Sequence, residues 1–142
     1  MTALKSRSPL IPFLLASLCS GCAALLNQIL WTRILSLVFG STVEAVSAVT
    51  AVFMAGLALG SALGPRLVAR RGPAEAAALY SRIELAIGAS ALVLAFLLPA
   101  LESLRASIGA APVWALAIVL LLVPAGLMGT TLVVQTQGVS GQ

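Results

Sequence analysis

Histidine is absent from this chain, and acidic side chains number only four. Without imidazole, the commonest metal ligand and neutral-pH proton shuttle is missing. Charged residues of both signs make up 8% of the 142 positions, where a soluble domain carries about 25%. Cysteine is nearly absent as well. Cys19 and Cys22 are too few for a disulfide framework. They stand in an apolar run, where a thiol behaves as a small hydrophobe and burial disfavours the thiolate. Two thiols also supply only half of a tetrahedral zinc site, so no metal and no redox role is expected of them. No glycine-rich phosphate loop, nucleophile elbow or carboxylate pair with catalytic spacing occurs, and no enzymatic activity is expected. Aromatic residues are 5% of the chain. The net charge of +4 and pI near 10.1 are not organised as a basic patch interleaved with stacking rings, so nucleic-acid binding is not expected.

What the chain has is hydrocarbon. Hydrophobic residues make up 61%, with a mean hydropathy of +1.13. Four long apolar stretches, at approximately 10–31, 43–63, 76–98 and 112–134, are joined by short polar or basic segments. Each is near the about 20 residues that cross a bilayer as a helix. Lipid offers backbone groups no partners, so their hydrogen bonds must close inside helices. The expectation is an all-α integral membrane four-helix bundle forming a single transmembrane domain. Four spans use more than half the chain and leave no room for a soluble catalytic module of ordinary size.

Local signals refine the boundaries. The first helix is expected to overshoot its span towards Phe39, with Trp31 near an interface where its ring suits mixed polarity. Gly40 breaks it, and Ser41 or Thr42 is a candidate cap for the second helix. Gly64 and Pro65 open a loop containing Arg66, Arg70 and Arg71. Pro73 suits a first helical turn, and Glu75 complements the positive helix end. Pro99 is expected to end or bend the third helix. Segment 100–111, with Glu102 and Arg105, is then a loop or short interfacial helix. Pro112 suits the first turn of the fourth helix, and the tail 135–142 is expected to fray.

Charge sets the orientation. With the N-terminus inside, the inner side holds Lys5, Arg7, Arg66, Arg70, Arg71 and Arg82, and the outer side only Arg33 and Arg105. The positive-inside rule therefore predicts both termini in the cytoplasm. Lys5 and Arg7 before an apolar run and Ser20-Gly21-Cys22 also have the outline of a lipoprotein signal. The run continues past Cys22, which suits a retained span better than a cleavage site.

Three groups of residues carry candidate function. Gly56, Gly60 and Gly64, at spacing four, form a stripe on one helix face that lets another backbone approach closely. Its counterpart is a helix of this chain or of another subunit. Glu84 lies about 12 Å along the third helix at about 1.5 Å per residue. An unpaired charge at that depth costs several kcal/mol, so it must face protein or water, or be protonated. Arg82, two residues earlier and about 200° round, is a poor partner. Gly56 falls at a similar depth, with Thr130 and Thr131 nearby, and a polar spot of Glu84, the glycine stripe and these threonines is expected. It serves as hydrogen-bonded glue, a proton or cation site, or a partner contact. The third group is an outer polar rim of Asn27, Gln28, Arg33 and Glu44, including an Arg33–Glu44 pair worth about 0–1 kcal/mol.

Segment 22–41, CAALLNQILWTRILSLVFGS, resembles the opening of bacterial spermidine synthase-like membrane proteins. In those proteins several membrane helices precede a soluble aminopropyltransferase-like domain. Segment 51–61, AVFMAGLALGS, is similar to their second helix. Tyr80 with 84–88, ELAIG, is similar to their third, and 124–132, PAGLMGTTL, to their fourth. The resemblance covers nearly all of 10–134. Three features depart from it. Asn27-Gln28 stand where the family typically has Tyr-Glu, and Val133 stands where it often has proline. The catalytic domain does not follow. The resemblance thus implies ancestry, fold and a bacterial inner (cytoplasmic) membrane location, with Glu84 as the matching acid, but not aminopropyl transfer. The function expected is a non-catalytic accessory or scaffold subunit of a larger membrane assembly. Its partners would be lipids and other membrane subunits or copies of itself. No cofactor is predicted, with bound lipids or pigments left open. The alternatives are an oligomeric half-transporter for polyamines or other small cations, and the membrane portion of a split spermidine synthase-like protein.

Overall fold

The computed structural model describes residues 10–69 and 72–140, with side chains placed from Leu14 to Val134 apart from a few around the 70–71 connection. The described chain is four helices: α1 Leu10–Phe39, α2 Thr42–Val68, α3 Pro73–Ile108 and α4 Ala110–Ser140. All four contain segments long and apolar enough to cross a membrane. The molecule is an all-α, multi-pass membrane bundle.

The turns follow from local chemistry. Gly40 has φ +73°, a conformation that glycine adopts freely, and its N–H closes α1 on Ser36. Ser41 is extended, and its hydroxyl accepts from the Glu44 N–H, capping α2. Glu44 then sits in the positive first turn. Pro73 opens α3 with Glu75 in its first turn.

The far end of α3 departs from expectation. Segment 100–111 is not an interfacial loop: α3 runs through Pro99 to Ile108, and the connection to α4 is Gly109 alone. Proline costs a helix one hydrogen bond and adds a clash with the preceding turn, but neighbouring packing compensates here. Leu98 and Leu101, either side of Pro99, are fully buried. Gly109 makes the reversal at φ +90° and returns its N–H to Arg105. With 36 residues, α3 is about 54 Å long at about 1.5 Å per residue, longer than the 76–98 segment first read as a span. The α4 helix likewise continues through the expected tail to Ser140.

Round the bundle the helices neighbour one another in the order α1, α2, α4, α3. Alternate elements run the same way, so α2 and α4, the most intimately packed pair, are parallel. The core follows helical periodicity. Ile83, Ile87, Leu94, Leu98 and Leu101 line the inner face of α3, and Val113, Ala117, Leu121, Ala125 and Met128 that of α4. The fully buried part of α1 is its C-terminal end, through Trp31, Leu35, Val38 and Phe39, while Ala24 packs against the core partly buried. From Leu14 to Leu30 none of its side chains is buried. Trp31 is 1% exposed, packed inside the bundle.

Candidate functional site

The glycine stripe of α2 is filled by α4. A Cβ on Gly56 would strike Ala125, and one on Gly60 would fall on the Gly126 carbonyl oxygen, 2.8 Å from the Thr130 nitrogen and 2.9 Å from the Gly129 Cα. One on Gly64 would lie 2.9 Å from the Val133 Cβ. The parallel direction brings the two rows together position by position, 56, 60 and 64 against 125, 129 and 133. Gly129 reciprocates, since a side chain there would meet the Leu57 backbone. Of the two expected counterparts, the structure supplies the one inside the chain. The matching row, Ala125-x-x-x-Gly129 with Gly126 beside it, carries the same small-residue spacing and is visible in the sequence once α4 is considered alongside α2.

Thr130 belongs to this contact. Its hydroxyl is shared between the Gly126 carbonyl at 3.0 Å, on its own helix, and the Gly60 carbonyl at 3.3 Å, across the interface. Thr131 donates to Met128 O at 2.7 Å. Both hydroxyls are buried and satisfied, as a water-free interior requires.

Glu84 is elsewhere. Its Oε1 accepts from the Ser20 hydroxyl of α1 at 2.8 Å. The expected spot joining Glu84 to the glycine stripe and Thr130 or Thr131 is therefore not one site. Glu84 bonds to α1, Thr130 is turned into the α2–α4 contact, and Thr131 bonds within α4 and borders the cavity beside α1. Ser20, the partner of Glu84, and Thr131 line the same cavity with Leu57. Depth along an axis says nothing about direction round it. Most hydroxyls in this bundle return to a carbonyl three or four residues earlier, as Ser61, Ser81 and Ser90 do. Ser20 instead reaches another helix.

Two openings flank the Ser20–Glu84 contact. One is a cavity of about 440 Å³ between the free half of α1 and the α2–α4 pair, walled by Ser17, Gly21, Cys22, Phe53, Met128 and Thr131 among others. The other is an open groove of about 650 Å³ along α3, in which Glu84 lies with Ser81, Leu85, Gly88 and Leu92. Arg82 borders a separate groove with Glu75, in keeping with its position on a different side of the helix.

At the end carrying the α1–α2 and α3–α4 turns, the Arg105 guanidinium donates to Val38 O at 2.6 Å and stands 5.9 Å over the Phe39 ring. Phe39 stacks on Trp114 with centroids 3.7 Å apart and planes 16° from parallel. A cation on the last carbonyls of α1 complements the negative helix end. This clamp was not foreseen. The reach of Arg105 to α1 depends on α3 continuing past Pro99 where a loop or short interfacial helix is expected. Within the expected rim, Asn27 and Gln28 are half-buried, and the Asn27 amide donates to Ala23 O. Arg33 and Glu44 are exposed and do not pair with each other. Arg33 points from a helix end and Glu44 from a helix start, and solvent competes for both charges. Cys19 and Cys22 are unpaired and exposed. Among the described residues no group of three His, Cys, Asp or Glu side chains is placed to hold a metal. Lys5, Arg7, Arg70 and Arg71 lie outside the described residues.

No known protein-family profile, curated protein or solved structure matches this chain. Functional inference therefore rests on the geometry.

Proposed function

We propose that this chain is a non-catalytic accessory subunit that packs, through α1 and α3, into a larger assembly in the bacterial inner membrane. The observation that carries the reading is the position of Glu84. It is an acid within a membrane-spanning helix, at the perimeter of the bundle, with one hydroxyl partner and an open groove beside it. Polar groups in lipid belong at protein contacts or water paths. The enclosed interior here is apolar apart from Thr130 and Thr131, whose hydroxyls bond to backbone carbonyls, so a contact with another protein is favoured over a path through the bundle. The first half of α1 supports the same reading, because the stripe it turns to the bundle, Ser17, Ser20, Ala24 and Asn27, is only half-buried, where a spanning helix ordinarily buries one stripe. The six-to-two bias of cations towards the α2–α3 side supports cytoplasmic termini.

Extraction in mild detergent followed by native mass measurement tests this. The expected result is a complex heavier than 14.4 kDa containing other membrane subunits. A stable solitary monomer overturns it. A subunit carrying a nucleotide-fold catalytic domain in that complex would support the split spermidine synthase-like reading. The half-transporter alternative is favoured by the same acid facing a groove. Uptake of a polyamine or another small cation by vesicles holding only this chain would establish it.

A further inference from the structure

We propose that the α3 groove seats a membrane-spanning helix of a partner subunit that carries a lysine or arginine, whose charge pairs with Glu84. The proposal rests on the accessory-subunit reading and names the contact.

Charge complementarity carries it. A carboxylate offers about four acceptor sites, and Ser20 fills one of them. No cation among the described residues is placed to supply the rest. Arg82 borders a different groove with Glu75. The α1 helix, which provides Ser20, has Arg33 as its charged residue, 13 positions on, about 20 Å away along the helix. The α4 helix carries no charge. A counter-charge to an ionised Glu84 comes from outside the described residues, and the groove leaves it a route. Leu85 and Leu92 line the groove and are 74% and 67% exposed. A Cβ added to Gly88 would meet nothing within 4 Å.

The shape selects a helix over a free ion. The groove follows α3 from Tyr80 to Leu92, about 18 Å. Beyond Glu84 it is walled by Leu85, Ala89 and Leu92. A hard cation such as Ca²⁺ or Mg²⁺ needs about six oxygen ligands, and this site offers one carboxylate with the hydroxyls of Ser20, Ser81 and Tyr80 near it. A long apolar track with one acid near its end matches a helix with one basic side chain, which can reach the acid while its stem lies on the leucines.

The test uses the full-length chain in phosphatidylcholine–phosphatidylglycerol vesicles. The probe is a leucine–alanine spanning peptide with a single lysine at the depth of Glu84, and association is read by energy transfer. The lysine peptide should bind about tenfold more tightly than the same peptide with leucine in its place. Glu84→Gln should abolish that preference. Gly88→Leu should block binding while leaving the thermal unfolding of the chain unchanged. Equal affinity for the two peptides, or a preference that survives Glu84→Gln, overturns the proposal. No binding of either peptide does so too, and assigns the groove to lipid. Self-association that depends on Glu84 and excludes the peptide assigns it to a second copy. The two readings fail separately. A native assembly with no cross-links from Leu85 or Leu92 sinks this contact and spares the accessory role, whereas a solitary monomer sinks the role.

Discussion

At the scale of single residues, identical side chains have opposite meanings. Gly60 sits where any Cβ would collide with the α4 backbone, and Gly88 sits where a Cβ would meet nothing. Gly60→Leu should separate α2 from α4 and cost at least about 3 kcal/mol, since overpacking against backbone has no rotamer escape. Gly88→Ala should leave the isolated chain's stability unchanged or raise it by about 1 kcal/mol, the helix-propensity difference. Thermal or denaturant unfolding in detergent micelles measures both, and equal effects would contradict the packing described. Trp31 presents a different case. It is buried, and its indole N–H is without a hydrogen-bond partner. An unsatisfied buried donor costs about 1–3 kcal/mol. Trp31→Phe should therefore be neutral or stabilising, whereas Trp31→Ala should lose about 3–5 kcal/mol by opening a cavity. A loss of similar size from both variants would mean that the N–H is satisfied.

At the scale of elements, the sharpest feature is the α3–α4 reversal on one residue. Gly109, at φ +90° and ψ 172°, occupies a region essentially reserved for glycine. Gly109→Ala should cost about 1–3 kcal/mol and should loosen the Phe39–Trp114 stack as well. Its readout is the near-ultraviolet signal of Trp114 as well as the unfolding midpoint. An unchanged signal would show that the turn and the stack are independent. This element also marks the limit of sequence reading. Proline at 99 is a valid stop signal in water, but lipid gives a broken helix nothing to bond with, so the helix continues. The clamp of Arg105 on α1 was hidden for that reason. The two glycine rows, by contrast, were legible, since spacing four is a property of the chain. Which helix would face which row was not, because the sequence does not contain the angle of each helix about its own axis. The same angle decides that Glu84 bonds to Ser20 of α1 and not to Thr130 or Thr131.

At the scale of the molecule, the bundle is unevenly built. The α2–α4 pair is tightly interlocked, and α4 is the most buried span, whereas α1 is anchored at one end. Amide exchange in micelles should follow this gradient. The α4 amides around Ala125 to Thr130 should exchange slowest, and the first half of α1 fastest, because local opening there exposes few buried contacts. Uniform protection along α1 would show that its free half is packed against something in the isolated chain. The four crossings, their approximate spans, the charge bias and the close-packing spacing were all determined by the amino-acid order. They are sums over one strand of chain: apolar length against bilayer thickness, and periodicity against the helical repeat. What only the tertiary structure decided is which faces meet. It set the glycines of α2 against those of α4, gave Glu84 to Ser20 rather than to Thr130 or Thr131, and left the first half of α1 only partly covered. Those outcomes depend on helix rotation and crossing, which arise from competition among all four helices for the same contacts.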